Sequence, residues 1–383
     1  MSNMEVHLIH EKRLLADKVI DGQSERLAHG WAFFSGVSIC FVLVAALATV
    51  YWAPGATGSG NAELIAYLNG VNYPKLIGFE TLVVKIFGVI FAVIGGLCVG
   101  KEGPLAHIGA NVGAVVPYLP IPRFEYLRND RKKRELIAAG CSAGVSTAFG
   151  APIGGALFAY EMSKPNTFWK FSVLWKSFFT CSIAVFSVAI YSQCMRGNAT
   201  LNVKPVELKF GGVPVESPDM SSIPAAIILG IIGGLLGAFF VFVNSRLFKL
   251  RKRFITKGWL KVLEAILFAL CTSSAFYWAP MIFGTCKDRT KISDKNQELL
   301  LQYECKEGEY SPLATMFFNE ELGAIRSIMS GYDGPGGIRL PPEQMVLYMA
   351  VWYFFTIITY GVWVPAGLFL PGIIIGCALG SIY

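Results

Sequence analysis

Three glycine-punctuated segments carry residues that a lipid-facing helix would not choose: Gly58-Ser59-Gly60-Asn61-Ala62-Glu63, Gly100-Lys101-Glu102-Gly103-Pro104 and Gly367-Leu368-Phe369-Leu370-Pro371. In each, glycine bares backbone N–H groups just ahead of a stretch that reads as helix. The first N–H groups of a helix have no intrahelical partner, and the aligned peptide dipoles place about half a positive charge there. Several such ends aimed at one point bind a bare anion without a full cation, as half-helices do in membrane transporters. The Ser59 hydroxyl adds a donor, and Pro104 suits a first helical turn. Glu102 is itself an anion. Buried there it would occupy the place of a transported anion until protonation released it. The plainer alternative is that it pairs with Lys101 or a cytosolic arginine and does nothing else. Other chemistry finds little support. The four histidines, His7, His10, His29 and His107, are dispersed, and the nine cysteines contain no CxxC. HExxH does not occur, so no metal, cofactor or catalytic group is read.

The elements that must position these segments belong in a bilayer. Of 383 residues, 54% are hydrophobic and 15% charged, which is too apolar for soluble packing. The N-terminus lacks a basic run followed by an apolar core and a small-residue cleavage site, so it does not read as a cleaved signal. Residues 1–29 read as a cytosolic or loop segment and 30–383 as a transmembrane domain. The first long apolar run, 31–51, spans a hydrocarbon core of ~30 Å at ~1.5 Å per residue. Further runs fall near 80–99, 103–118, 135–162, 168–194, 222–245, 260–284, 343–362 and 367–383. Two are interrupted, one at Gly100, Gly103 and Pro104, the other at Gly150, Pro152, Gly154 and Gly155. These read as broken or re-entrant helices, tolerated only where protein or a watery cavity covers the freed backbone groups. The glycines of 88–96 and 230–238 read as close helix packing.

Charge fixes sidedness. The net +7 gathers in short runs: residues 123–134 hold six basic and two acidic side chains, and 246–261 hold seven basic and none acidic. Both loops are expected in the cytosol, and this distribution argues for a lipid bilayer rather than nucleic acid as partner. With 168–194 and 222–245 crossing between them, 135–162 must enter and return. Residues 195–221 then face outside or lumen and carry Asn198-Ala199-Thr200, a glycosylation triplet. The loop 285–311 falls on the same side, where Cys286 and Cys305 are candidates for a disulfide.

In order, GSG (58–60), GKEGPLAHIG (100–109), GVSTAFGAPIGGALFAYE (144–161) and GVWVPAGLFLPG (361–372) resemble the CLC family of chloride channels and anion/proton exchangers. Supporting pieces, AYLNGV (66–71), DRKKRELIAAG (130–140) and CKEGEYSPLATMFFN (305–319), are similar to its plant vacuolar and animal endolysosomal branch. The resemblance covers roughly residue 30 to the end. It implies an all-α polytopic fold of inverted repeats and a homodimer in which each subunit has its own pathway for small monovalent anions. It also implies voltage sensitivity and a vacuolar or endolysosomal membrane, with the plasma membrane as alternative. Glu102 stands at the gating glutamate. Ser59, flanked by Gly58 and Gly60, stands at the serine that holds the central anion and favours chloride. Lys101, Gly103 and Pro104 belong to the gating motif, and Leu368 and Phe369 stand where backbone N–H groups complete the site. By the same comparison the chain is expected to be partial, lacking the last helices and the cytosolic CBS domains.

Two departures bear on function. The family motif continues GSGIPE, whereas this chain has Asn61 and Ala62 at its fourth and fifth positions, before Glu63, which loosens the selectivity implied by Ser59. Exchangers of the family carry two consecutive glutamates after Leu-Phe, the second being the internal proton acceptor. Here the run is Leu157-Phe158-Ala159-Tyr160-Glu161-Met162. Aligned without a gap, Met162 takes the acceptor position, and methionine carries no proton. A one-residue deletion would instead give Glu161 that role; the Ser-Lys-Pro that follows favours the gapless form. The expectation is voltage- and pH-sensitive chloride transport of channel type. The alternatives are chloride/proton antiport and a non-conducting truncated subunit that regulates a complete partner, with a membrane-embedded enzyme the weakest.

Overall fold

The computed structural model describes residues 8–9, 11–12, 27–73, 75–163, 171–195, 220, 222–292, 297, 299–330, 337–338 and 340–382. Asn198 lies outside these. The described residues are mostly helical. Helix α1 (Leu27–Leu47) runs on through a π turn, Ala48–Trp52. The short α2 (Asn61–Leu68), α3 (Phe79–Ile94) and α4 (Glu102–Val115) follow. Next come α5 (Asp130–Phe149) and α6 (Pro152–Ser163), separated where Gly150 takes φ 65° and Pro152 can open only a new helix. This is the predicted entering-and-returning pair, and the gap between α3 and α4 is the other predicted break.

Helices α7 (Phe171–Met195), α8 (Ser222–Phe254) and α9 (Gly258–Phe283) are, with α1 and its π turn, long and apolar enough to cross a membrane. Beyond them lie a two-residue antiparallel pair, β1 (Lys287–Asp288) and β2 (Glu309–Tyr310), then α10 (Pro312–Phe318), α11 (Glu321–Ser330), α12 (Pro342–Thr359) and α13 (Phe369–Ile382).

Helices α1 and α9 pack antiparallel. Tyr277 Oη donates to the Leu27 carbonyl at 3.1 Å, Trp31 Nε1 to Ser274 Oγ at 3.0 Å and Ser273 Oγ to Ser35 Oγ at 3.2 Å. At the other end the Tyr51 ring lies over Gly258. The start of α1 therefore sits at the end of the molecule that bears the 285–311 loop, opposite the basic 246–261 stretch. That stretch is less a loop than expected: α8 continues to Phe254, and only three residues separate it from α9.

Arg251, in the last turn of α8, reaches across to α12. Its Nε donates to Glu264 at 2.5 Å and Nη1 to the Tyr360 carbonyl at 2.6 Å, and Nη2 bonds the Ile358 carbonyl. Asn244 Nδ2 adds bonds to the Ile357 and Tyr360 carbonyls at 3.1 and 3.2 Å. These carbonyls are the orphans that every helix C-terminus leaves, so α8 caps α12.

The two glycine clusters behave differently. A Cβ on Gly95 would fall 2.3 Å from Val42 of α1, as close packing requires. Around Gly230, Gly233, Gly234 and Gly237 of α8 nothing among the described residues lies within 4 Å, and α8 buries none of its residues. No close-packed neighbour of these glycines stands among the described residues.

Cys286 and Cys305 are bonded, with Cα atoms 5.7 Å apart, and the short sheet closes the same loop. Cross-linking residues 19 apart stabilises by about 3 kcal/mol through the unfolded chain. Cys286→Ser is therefore expected to lower the thermal midpoint of the detergent-solubilised protein, and reductant should lower that of the wild type to match. Equal midpoints with and without reductant would refute this.

Candidate functional site

Helix α2 opens at Gly60, whose φ of 76° and contact with the His107 ring leave no room for a side chain. A Cβ there would lie 2.1 Å from Nδ1. The His107 ring is held from its other side, with Nε2 3.1 Å from the Leu76 carbonyl. Just ahead, Ser59 Oγ accepts from the Asn61 N–H at 3.4 Å. That uses an oxygen lone pair and leaves the hydroxyl proton for another acceptor.

The three glycine-bared segments meet. Gly100 and Gly367 exchange both backbone hydrogen bonds at 2.8 Å, forming an isolated antiparallel bridge. Gly58 N–H donates to the Val364 carbonyl at 3.0 Å, and Ala366 N–H donates back to Gly58 at 3.1 Å. Gly103 fits between Ser59 and Gly367: a Cβ on it would lie 3.0 Å from Ser59 Cβ and 3.5 Å from Gly367 Cα. Helices α2, α4 and α13 thus all begin around one place, where their N-terminal dipole ends add up to the positive potential that the sequence implied.

Glu102 and Lys101, at the start of α4, are 5% and 7% exposed. Glu102 Oε2 packs over Gly100, at 2.8 Å from where a Cβ would stand. Beside it is a cavity of about 250 Å³, lined by Glu102, Gly103, Asn61, Phe369 and the apolar residues of α5 and α6 that flank the Gly150 break. Phe369 faces Phe149 and Phe158, with ring centroids 5.9 and 6.4 Å away. Of the predicted site residues, Glu102, Gly103 and Phe369 line this cavity. Gly58, Ser59, Gly60, Lys101, Pro104 and Leu368 belong to the surrounding frame and are not among its lining residues.

The other two candidates stand apart from one another. Met162 is 5% exposed and packs with Leu64, Tyr67, Ala106 and Cys141, whose Sγ lies 3.8 Å from its sulfur. Glu161 is exposed. A carboxylate in the Met162 position would meet the core.

Sequence reasoning missed Lys85. It sits in the middle of α3, 0% exposed, with no hydrogen-bond partner for Nζ among the described residues. It lies in electrostatic range of Glu63 and His107. Its signal was a lone cation in the apolar run from 80 to 99. A cation held there adds positive potential behind the helix ends at little structural gain of its own.

The arrangement defines a polytopic membrane protein in which broken helices present backbone donors and one buried carboxylate to a common point. A sequence model of the family described as "Voltage gated chloride channel" matches residues 41–383, and the chain belongs to that family, the CLC proteins. It is 34% identical over 382 residues to the mouse "H(+)/Cl(-) exchange transporter 7", covering 97% of this chain and 46% of that protein. It is also 34% identical to "Chloride channel protein C" of Dictyostelium discoideum (91% and 47% covered) and 33% identical to "Chloride channel protein CLC-d" of Arabidopsis thaliana (92% and 47% covered). The chain spans about half the length of these curated relatives. Among solved structures, its fold matches a slow cyanobacterial Cl-/H+ antiporter with TM-score 0.70 at 18% identity, over 98% of this chain and 74% of that one. A eukaryotic CLC transporter matches with TM-score 0.63 at 20% identity, over 96% and 53%.

Proposed function

We propose that the protein carries small monovalent anions, chloride foremost, across a membrane, through the point where α2, α4 and α13 begin, with Glu102 as the gate. The observation that carries this reading is the lacing of Gly58, Gly100 and Gly367 by paired backbone bonds, with Glu102 buried beside it. Ser59, with Gly58 and Gly60, and the N–H groups around Lys101, Gly103, Leu368 and Phe369 supply the donors. Pro104 removes a competing donor from the first turn of α4. Glu102 competes with the anion for these donors when charged and leaves when protonated, which gives pH sensitivity. Voltage acts on the same competition by drawing anions into the site. Homodimerisation and a vacuolar or endolysosomal membrane are proposed from the resemblance and from the names of the relatives.

Transport of channel type follows from Met162, which offers no proton acceptor where it is buried, while Glu161 is exposed. Exchange with protons is the second reading, favoured by relatives named H(+)/Cl(-) exchange transporters. The reversal potential of the protein in a planar bilayer separates them. With the chloride gradient fixed, a passive pathway keeps its potential when a pH gradient is imposed. A shift with pH would assign exchange and require another acceptor in place of Met162. Absence of any anion current in a correctly inserted protein would overturn both.

A further inference from the structure

We propose that Asn61 is a selectivity-determining ligand of the transported anion, acting through its side-chain carboxamide. The inference rests on the anion pathway proposed above and adds to it a residue at which this chain departs from the family motif. Apart from Glu102, Asn61 supplies the one hydrogen-bonding side chain to the 250 Å³ cavity; every other lining residue is glycine, alanine, valine or phenylalanine.

The carboxamide is not committed elsewhere. Its Oδ1 is buried and has no hydrogen-bond partner among the described residues. Its Nδ2 lies against the first turn of α4, 3.6 Å from where a Cβ on Gly103 would stand. The helix does not need the side chain, because the backbone N–H of Asn61 is already satisfied by Ser59 Oγ. A buried amide oxygen without a partner is costly unless something occupies the space beside it.

Two partners fit, one for each end of the carboxamide. When an anion is in the cavity, the Nδ2 hydrogens donate to it, alongside the backbone N–H groups at the start of α4 and α13. When Glu102 is protonated, its hydroxyl has an acceptor in Oδ1. The carboxamide therefore supports the anion and the neutral gate together, a combination that an apolar side chain of the same size supports in neither part. A donated hydrogen bond favours chloride, which holds its hydration tightly, over thiocyanate, which gives it up readily.

The test compares the wild type with Asn61→Leu, similar in size without hydrogen bonding, and Asn61→Gln, which keeps the carboxamide. Chloride binding to the purified protein is read by calorimetry, and the thiocyanate-to-chloride permeability ratio in bilayers. Asn61→Leu is expected to weaken chloride binding about three- to tenfold and to raise the permeability ratio, with Asn61→Gln lying nearer the wild type. Unchanged binding and an unchanged ratio in Asn61→Leu would overturn the assignment. Binding that weakens in Asn61→Leu, in a protein that passes no current, would support the ligand role and reject the transport reading instead. A wild type that binds no chloride would reject both.

Discussion

Glu102→Ala is expected to pass anions at a rate that no longer depends on pH, and to move no protons with them. The carboxylate is 5% exposed, lies over Gly100 and borders the cavity. Its removal leaves the helix ends of α2, α4 and α13 in place, because these are fixed by backbone bonds and not by the glutamate. What is lost is the one anionic group that competes for them. Over the range in which the wild-type current changes about tenfold with pH, the variant current should be flat; a tenfold ratio corresponds to about 1.4 kcal/mol of competition between glutamate and anion. Currents in the variant that still respond to pH would take the gate away from Glu102 and leave the anion site without its assigned competitor.

The second large effect concerns the fold. Helices α4 and α5 cross at Gly109 and Gly140, where each backbone fills the space a side chain would need. A Cβ on either residue would lie 2.2 Å from the other's carbonyl oxygen. One turn away, Gly144 meets the Leu105 carbonyl at 2.2 Å and Gly113 meets that of Leu136 at 2.4 Å. Neither side can yield by rotating a side chain, so a single methyl must separate the helices. Gly140→Ala is expected to cost about 2 kcal/mol or more, at the upper end of overpacking changes. The same substitution at Gly233, which has open space around it, should be neutral or stabilise by up to about 1 kcal/mol, since alanine favours helix. Thermal midpoints of the two variants in one detergent check the contrast. Midpoints that move together would mean that the α4–α5 crossing is not the constraint.

Much of this architecture could be read before any coordinates. Apart from α8, which runs on to Phe254, the apolar runs became helices within a few residues of their predicted ends, because bilayer-length hydrophobicity is a strong signal. The breaks at Gly150 and at Gly100–Pro104 were legible from glycine and proline alone. So was the meeting of the three anion-directed segments, but only through the family resemblance; the bonds between Gly58 and Val364 or between Gly100 and Gly367 span far too much sequence for any local pattern to indicate them. Lys85 was lost in an apolar run because a single cation there reads equally well as a span end. The glycines of α8 imply a close neighbour without naming one, and none stands among the described residues. Asn61 registered as a departure from the motif, and its place on the cavity beside Glu102 needed the structure. Arg251 was counted simply as one of seven positive charges, since nothing in composition separates a charge that marks the cytosolic side from one that holds a helix end.

That last residue bears on how the protein can change over time. Arg251 grips α12 through the carbonyls of Ile358 and Tyr360, groups that every amino acid brings. The side chains at 357, 358 and 360 can therefore drift without loosening the grip, so long as the backbone keeps its course. Position 251 has no such freedom. Lysine would bring a point charge in place of a planar fork and could not serve Glu264 and two carbonyls in the same geometry. Among descendants of this sequence, variation should collect on the gripped strand of chain and be scarce at the residue that grips it.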